Sequence, residues 1–334
     1  MPLRGRFASL ILLPFALLAA ACHRSARPEP IRPRPPGDTL TFDATREIAC
    51  HNCYDPDRYS RRLKHAVRQV RSIELDFWPR RAGAWQVRHD SIKGRNNCGE
   101  SGTRGLDLAG CFHVLAKVLE SESAGDGPPP ALTVFLDQKA RLDSPREMES
   151  LDSLAAAVFG QRLFRPSDLP RGPQQRGARG AGNPKWPVHG ALRGRVMLVL
   201  TGGDAGGKLI LGPKITNPQL ERYVRARQGR AAMFVAPSLV NPGDVKDVPF
   251  FDSSLEKWVA FGNMQSGPGV LELNESVRAH RWIGRVWSGD QRVCRHLDGR
   301  VARIALYHFE RKVPCKDVQP DNWPPAPSAL GVQR

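Results

Sequence analysis

The chain is short of acid, of long apolar runs and of internal repetition, and each shortage narrows the reading. Its 334 residues hold 33 Asp and Glu against 50 Lys and Arg, a formal charge of +17. So little acid suits the surface to anionic partners. The apolar run Leu10 to Leu18 is shorter than the ~20 residues of a membrane span, which argues against a transmembrane anchor. No repeat is visible, and no Pro-rich or Gly-rich linker interrupts the chain in a way that divides it after residue 44.

What the N-terminus does contain reads as an export address. Arg4 and Arg6 precede the apolar run, and Leu18-Ala19-Ala20-Ala21-Cys22 offers a small-residue cleavage site ending on a cysteine. That stretch resembles a bacterial lipobox, which implies a signal peptide over 1–21, lipid attachment at Cys22 and a place in the cell envelope. Removing Arg4 and Arg6 leaves the mature chain at +15. For an exported chain the anionic partner is more naturally a phospholipid head group than nucleic acid. Residues 22–43 are Pro-rich and lack apolar periodicity, the composition of an extended tether.

Six further cysteines follow: Cys50, Cys53, Cys98, Cys111, Cys294 and Cys315. An even number in an exported chain points to disulfides, although six cysteines allow 15 connectivities. Spacing favours Cys98 with Cys111 and Cys294 with Cys315, leaving Cys50 and Cys53 as a bridge or as two thiols shaping a turn. A redox or zinc reading of Cys50-x-x-Cys53 finds no second cysteine pair at zinc spacing and no thioredoxin-like context.

From residue 44 to about 320 the chain has the size of one α/β barrel, followed by a tail over 321–334. Eight apolar, β-branched runs recur: Glu47 to Cys50, Ser72 to Phe77, Leu132 to Leu136, Val196 to Leu200, Ala232 to Val235, Trp258 to Phe261, Trp282 to Val286 and Arg303 to Tyr307. Helical patterns lie between several of them, over Arg58 to Val70, Leu106 to Glu120, Pro145 to Val158 and Pro218 to Arg227. The expected fold is a TIM-type (β/α)8 barrel, irregular in its second half. Pro170 to Pro187 reads as a surface loop, mobile and rich in arginine. Gly202 to Leu209 has the spacing of a phosphate loop, but no Ser or Thr follows its lysine and no helix opens after it.

The chemistry concentrates in Cys50-His51-Asn52-Cys53-Tyr54, Ser72-Ile73-Glu74-Leu75-Asp76-Phe77-Trp78 and His89-Asp90. Glu74 and Asp76 stand at i and i+2 of a strand, so both leave one face while Ile73, Leu75 and Phe77 bury the other. Two like charges on such a face require a cation or acid/base work. In a barrel of this kind the C-terminal strand ends carry the site. His51 and Asn52, Glu74 and Asp76, and Asp137 fall at such ends, with Arg285 and Trp287 in the seventh strand.

These pieces together resemble the calcium-dependent phosphoinositide-specific phospholipase C family of barrel-shaped phosphodiesterases. His51-Asn52-Cys53-Tyr54 lies beside the family's His-Asn-Ser/Thr-Tyr, and Glu74-Leu75-Asp76-Phe77-Trp78 beside Glu-Leu-Asp-x-Trp, with His89 shortly after. The resemblance implies calcium held by Asn52, Glu74, Asp76 and Asp137, with His51 and His89 as the acid/base pair. It also implies a phospholipid substrate, Arg285 at the head group or its phosphate, and Trp287 where a tyrosine commonly stacks on the inositol ring. Asp137 stands in place of the usual Glu, and no Lys ends the fourth strand, Val199-Leu200-Thr201-Gly202. Two rival readings are a glycerophosphodiester phosphodiesterase, which would begin with His-Arg-Gly, and a non-catalytic lipid-binding surface protein.

Overall fold

The computed structural model describes residues 39–59, 61–79, 84–89, 95–99, 107–123, 128–140, 142, 144–172, 183–201, 218–227, 229–239, 258–289 and 303–306. The signal segment with Cys22, most of the tether, Gly202 to Leu209, Asp90, Cys294, Cys315, Tyr307 and the tail lie outside the described residues.

Among the described residues ten strands form one sheet: β1 (Glu47–Cys50), β2 (Ser72–Pro79), β3 (Trp85–Val87), β4 (Leu132–Gln138), β5 (Val196–Thr201), β6 (Phe234–Ala236), β7 (Ser238–Leu239), β8 (Phe261–Gln265), β9 (Ile283–Gly289) and β10 (Arg303–Leu306). Nine follow the order β6-β5-β4-β2-β1-β10-β9-β8-β7, parallel throughout, and β3 pairs antiparallel to β2. The two ends of that path, β6 and β7, are halves of one segment broken at Pro237, which has no N–H to give a ladder. This segment pairs with β5 on one side and β8 on the other, and Val235 also bridges Val259. Eight parallel strands therefore run around the ring, as the sequence pattern leads one to expect.

Helices α1 (Leu63–Gln69), α2 (Leu108–Ser123), α3 (Pro145–Phe159), α4 (Pro218–Ala226) and α5 (Val270–Ala279) connect the strands. In α2, Leu108, Cys111, Phe112, Leu115 and Leu119 recur at helical spacing and form its buried stripe. The start of α3 is fixed by Pro145 at its first turn and by a capping box, Ser144 Oγ accepting from the Glu147 N–H while Glu147 reaches back to the Ser144 N–H.

Two cores result from the period of two along each strand. Ile73, Leu75, Val134, Leu136, Leu198 and Leu200 face the helices. Phe135, Met197, Val199, Phe234, Phe261 and Ile283 fill the interior with Phe42 and Trp186. Thr41 bridges Val188, and the Phe42 ring stacks on His189, so the end of the tether as read from sequence is folded against the N-terminal ends of the strands.

The arginine-rich loop is also held at its base. Arg171 bridges Pro184, Gly172 donates to the Asn183 carbonyl, and Trp186 inserts against Phe42, Phe234 and Phe261. The described parts of Pro170 to Pro187 are thus pinned to the end of the barrel opposite the strand C-termini. No described helix is long and apolar enough to cross a membrane.

Candidate active site

The strand alternation that sends Ile73, Leu75 and Phe77 to the helices sends Glu74 and Asp76 inward. Register then assembles the neighbours: Asp76 pairs with Asp137, Asp137 with Thr201, and Asn263 with Arg285. One carboxylate oxygen from each of Glu74, Asp76 and Asp137 lies within 4.8 Å of the others. The acids expected to act together are together.

His51 and Asn52 follow β1 in a turn closed by the Cys50–Cys53 disulfide. Asn52 has φ +58°, a left-handed conformation that an Asn tolerates better than most residues. The turn is clamped from outside by Asn97. Its side-chain amide donates to the carbonyls of Cys53, Tyr59 and Arg61 at 2.9, 3.2 and 2.6 Å, and its backbone N–H to that of Tyr54 at 2.8 Å. Asn97 is fixed in turn by the adjacent Cys98–Cys111 disulfide, which ties this segment to α2. The expected Cys98–Cys111 pairing is present, and of the two readings left for Cys50 and Cys53 the bridge is the one found.

The β2–β3 hairpin returns the chain that carries His89 alongside β2 at Asp76. Val87 pairs with Phe77, and the Arg88 N–H donates to the Asp76 carbonyl at 3.1 Å, which sets His89, half-buried, just beyond. Trp287 is half-buried, its ring edge-on to His51 with centroids 6.4 Å apart.

The electrostatics of the cluster are tightly interlocked. His51 Nε2 lies 3.3 Å from Glu74 Oε1. The other Glu74 oxygen takes the guanidinium of Arg285, which also donates to Asn263 Oδ1 at 2.6 Å and lies over the Phe135 ring at 4.5 Å. Arg285 is 2% exposed, so it works inside the barrel, engaged by protein groups, rather than projecting from the mouth. Burial, with the charge of Arg285, pulls the His51 imidazole down to about 3, so it is neutral near pH 7. Burial pushes the Asp76 carboxyl up to about 6, against the pull of Lys139.

Sequence reasoning passed over Lys139, Thr201 and Asn263. Lys139 Nζ lies 2.6 Å from Asp137 Oδ2 and 3.3 Å from Asp76 Oδ2, and Thr201 Oγ1 donates to Asp137 Oδ1 at 2.6 Å. The signal for Lys139 was available, since it stands at i+2 from Asp137 and so leaves the same strand face.

The donor set fits a hard divalent cation. Neither side-chain amide atom of Asn52 has a hydrogen-bond partner among the described residues, although both are buried, and the buried Asp76 carboxylate is approached by the Lys139 ammonium at 3.3 Å. A buried amide oxygen without a donor, beside clustered buried carboxylates, is what an oxygen-ligated cation satisfies. Glu74 and Asp137 add further oxygens at the distances such a cation spans.

No protein-family model matches the sequence, and no curated protein matches it. Solved structures do. A calcium-dependent phosphoinositol-specific phospholipase C from a Gram-negative Pseudomonas species is 26% identical, with a TM-score of 0.66 over 84% of this chain and 95% of that one. Its myoinositol complex matches at 25% identity and the same TM-score, over 85% of this chain and 96% of that one. A calcium-dependent phosphatidylinositol-specific phospholipase C from Streptomyces antibioticus matches at 18% identity and a TM-score of 0.61, over 80% and 94%, a likeness of fold.

Proposed function

We propose that this chain, which belongs to the family of the calcium-dependent phosphoinositide-specific phospholipases C, is an exported phosphodiesterase that cleaves phosphatidylinositol or a related phospholipid. The observation that carries this reading is the constellation itself: three inward carboxylates and an amide whose buried oxygens suit a cation, flanked by a neutral histidine. Asn52, Glu74, Asp76 and Asp137 would hold calcium. When bound, calcium supplies a Lewis acid that polarises the phosphodiester and lowers the pKa of an attacking hydroxyl.

The residues divide the remaining work. The inositol 2-hydroxyl gives its proton to His51 and attacks phosphorus, the bond to the glycerol oxygen breaks, and His89 as general acid gives that oxygen a proton, releasing diacylglycerol and a cyclic inositol phosphate. His51, kept neutral by burial, turns its single ring proton towards Glu74 from Nε2, so the proton it passes is taken up on its other ring nitrogen. Arg285 holds Glu74 in place and adds fixed positive charge beneath the phosphate. Trp287, beside His51 and partly exposed, offers a face on which the head-group ring stacks. The lipobox-like Cys22 would hold the mature enzyme at a membrane, where its basic surface favours anionic lipid.

The test is hydrolysis of phosphatidylinositol vesicles by the mature protein with and without calcium, the soluble product followed by phosphorus NMR. A calcium-dependent cyclic inositol phosphate is expected. Cleavage of glycerophosphoinositol but not of intact lipid would transfer the assignment to a glycerophosphodiesterase, and calcium binding without turnover of either would leave a lipid-binding protein.

A further inference from the structure

Of the acidic triad, two members are already engaged by one ammonium. Lys139 Nζ bridges Asp137 Oδ2 at 2.6 Å and Asp76 Oδ2 at 3.3 Å, and its side chain is 18% exposed. The remaining oxygen of Asp137 accepts from Thr201 at 2.6 Å, so both of its oxygens are committed to protein donors. Glu74 carries its own counter-charge in Arg285. Three carboxylates and two built-in cations leave the cluster one net negative charge, where a tight calcium site commonly presents more.

The position of Lys139 is not that of a surface lysine that swings at will. It follows the last residue of β4, its backbone N–H donates to the Phe77 carbonyl at 3.1 Å, and both carboxylates it touches project from adjacent strands at paired register. A cation that ligates Asp76 and Asp137 therefore has to displace this ammonium or sit beside it. Either costs affinity, because unit charges a few ångströms apart in a partly buried site interact strongly.

We propose that Lys139 is a tethered competitor for the metal, a positioning residue that neutralises Asp76 and Asp137 and thereby sets a weak calcium affinity. The inference rests on the calcium reading above and deepens it. It also gives the ammonium a structural duty: without calcium, Lys139 keeps two buried carboxylates from facing each other uncompensated.

The experiment is isothermal titration of calcium into the full mature chain, alongside Lys139→Met, Lys139→Gln and Lys139→Arg, with thermal unfolding in chelator and in saturating calcium. Lys139→Met is expected to bind calcium roughly 10- to 100-fold more tightly than wild type, the scale of one removed charge at this distance. In chelator it should melt below wild type, and its rise in Tm on adding calcium should be the larger of the two. Lys139→Gln, which keeps a donor for Asp137 without the charge, should follow Lys139→Met and covers the case in which the methionine variant does not fold in chelator. Lys139→Arg, which keeps the charge, should return the affinity towards wild type. Unchanged or weaker binding in Lys139→Met and Lys139→Gln, with wild type binding calcium, overturns the proposal alone. If neither wild type nor the variants bind calcium, the calcium reading falls and the proposal with it.

Discussion

His51 Nε2 stands 3.3 Å from Glu74 Oε1, and the other oxygen of that carboxylate is held by Arg285, so the histidine that follows β1 and the arginine of β9 are joined through one acid of β2. This chain orients His51 from below and leaves its ring beside Trp287. The roles assigned to the two histidines can be separated by the leaving group. His51→Ala and His89→Ala should each lower turnover of phosphatidylinositol by about 10²-fold or more, the usual worth of a general acid or base. With an aryl phosphodiester of inositol, whose leaving group needs no proton, His89→Ala should recover most of its rate and His51→Ala should not. Equal recovery by both variants would remove the division of labour.

Asn97 holds the turn that carries His51 and Asn52, although it belongs to a segment more than forty residues later. Its amide serves three carbonyls, those of Cys53, Tyr59 and Arg61, in a buried setting. Asn97→Ala removes those donors, and buried acceptors left without partners cost about 1–3 kcal/mol. The expected result is a chain that unfolds at lower urea concentration and binds calcium more weakly, because Asn52 is no longer fixed. Urea denaturation and calcium titration read the two effects separately.

The inward placement of Glu74 and Asp76 was legible because a strand has a period of two, and both acids interrupt an otherwise apolar run. The eight-strand repeat was legible for the same reason. Strand ends near the site were not. The run Trp258 to Phe261 precedes the observed strand Phe261–Gln265, whose Asn263 is polar because it faces Arg285 inside the barrel. A reader who follows apolar residues stops where the site begins. Helix Val270–Ala279 was missed because its buried positions include Asn274 among only a few apolar residues. Thr201 and Asn263 could not be placed from spacing, since they meet the acids only when register joins separate strands.

A second buried arginine shows how charge is handled away from the site. At the opposite ends of the strands, Arg303 Nε lies 3.1 Å from Glu47 Oε2, its Nη1 donates to the Thr45 carbonyl at 2.8 Å, and its guanidinium lies over the Phe42 ring at 4.8 Å. Breaking one partner of such a pair leaves an uncompensated buried charge. Arg303→Met should destabilise by about 3–5 kcal/mol, and Glu47→Leu combined with Arg303→Met should recover most of that loss. Chemical denaturation of the single and double variants checks this. Turnover per folded molecule should not change, because the pair stands below the interior core and away from the strand C-termini.

Between α3 and α4 the packing depends on a buried carboxylate with a pH signature. The Tyr223 hydroxyl donates to Asp152 Oδ1 at 2.5 Å and accepts from the Met233 N–H at 3.1 Å, while Arg227 Nε donates to Asp152 Oδ2 at 2.8 Å. Burial raises the Asp152 carboxyl above the ordinary carboxylate range, and the hydrogen bonds from Tyr223 and Arg227 work against that rise. A raised carboxyl holds its proton more tightly folded than unfolded. Its contribution to stability is therefore full below the unfolded value and is lost as pH rises through the folded one. Tyr223→Phe deletes a donor that favours the ionised form, so the carboxyl rises further and the loss runs on to a higher pH. At neutral pH the variant should be less stable by about 1–3 kcal/mol. As pH falls towards the ordinary carboxylate range, Asp152 takes up its proton in the fold and the deficit should shrink. Urea unfolding of both proteins across pH 4 to 8 measures this difference directly, and a deficit that stays constant over the range would mean that Tyr223 contributes packing and its bond to Met233 rather than support for a charged Asp152.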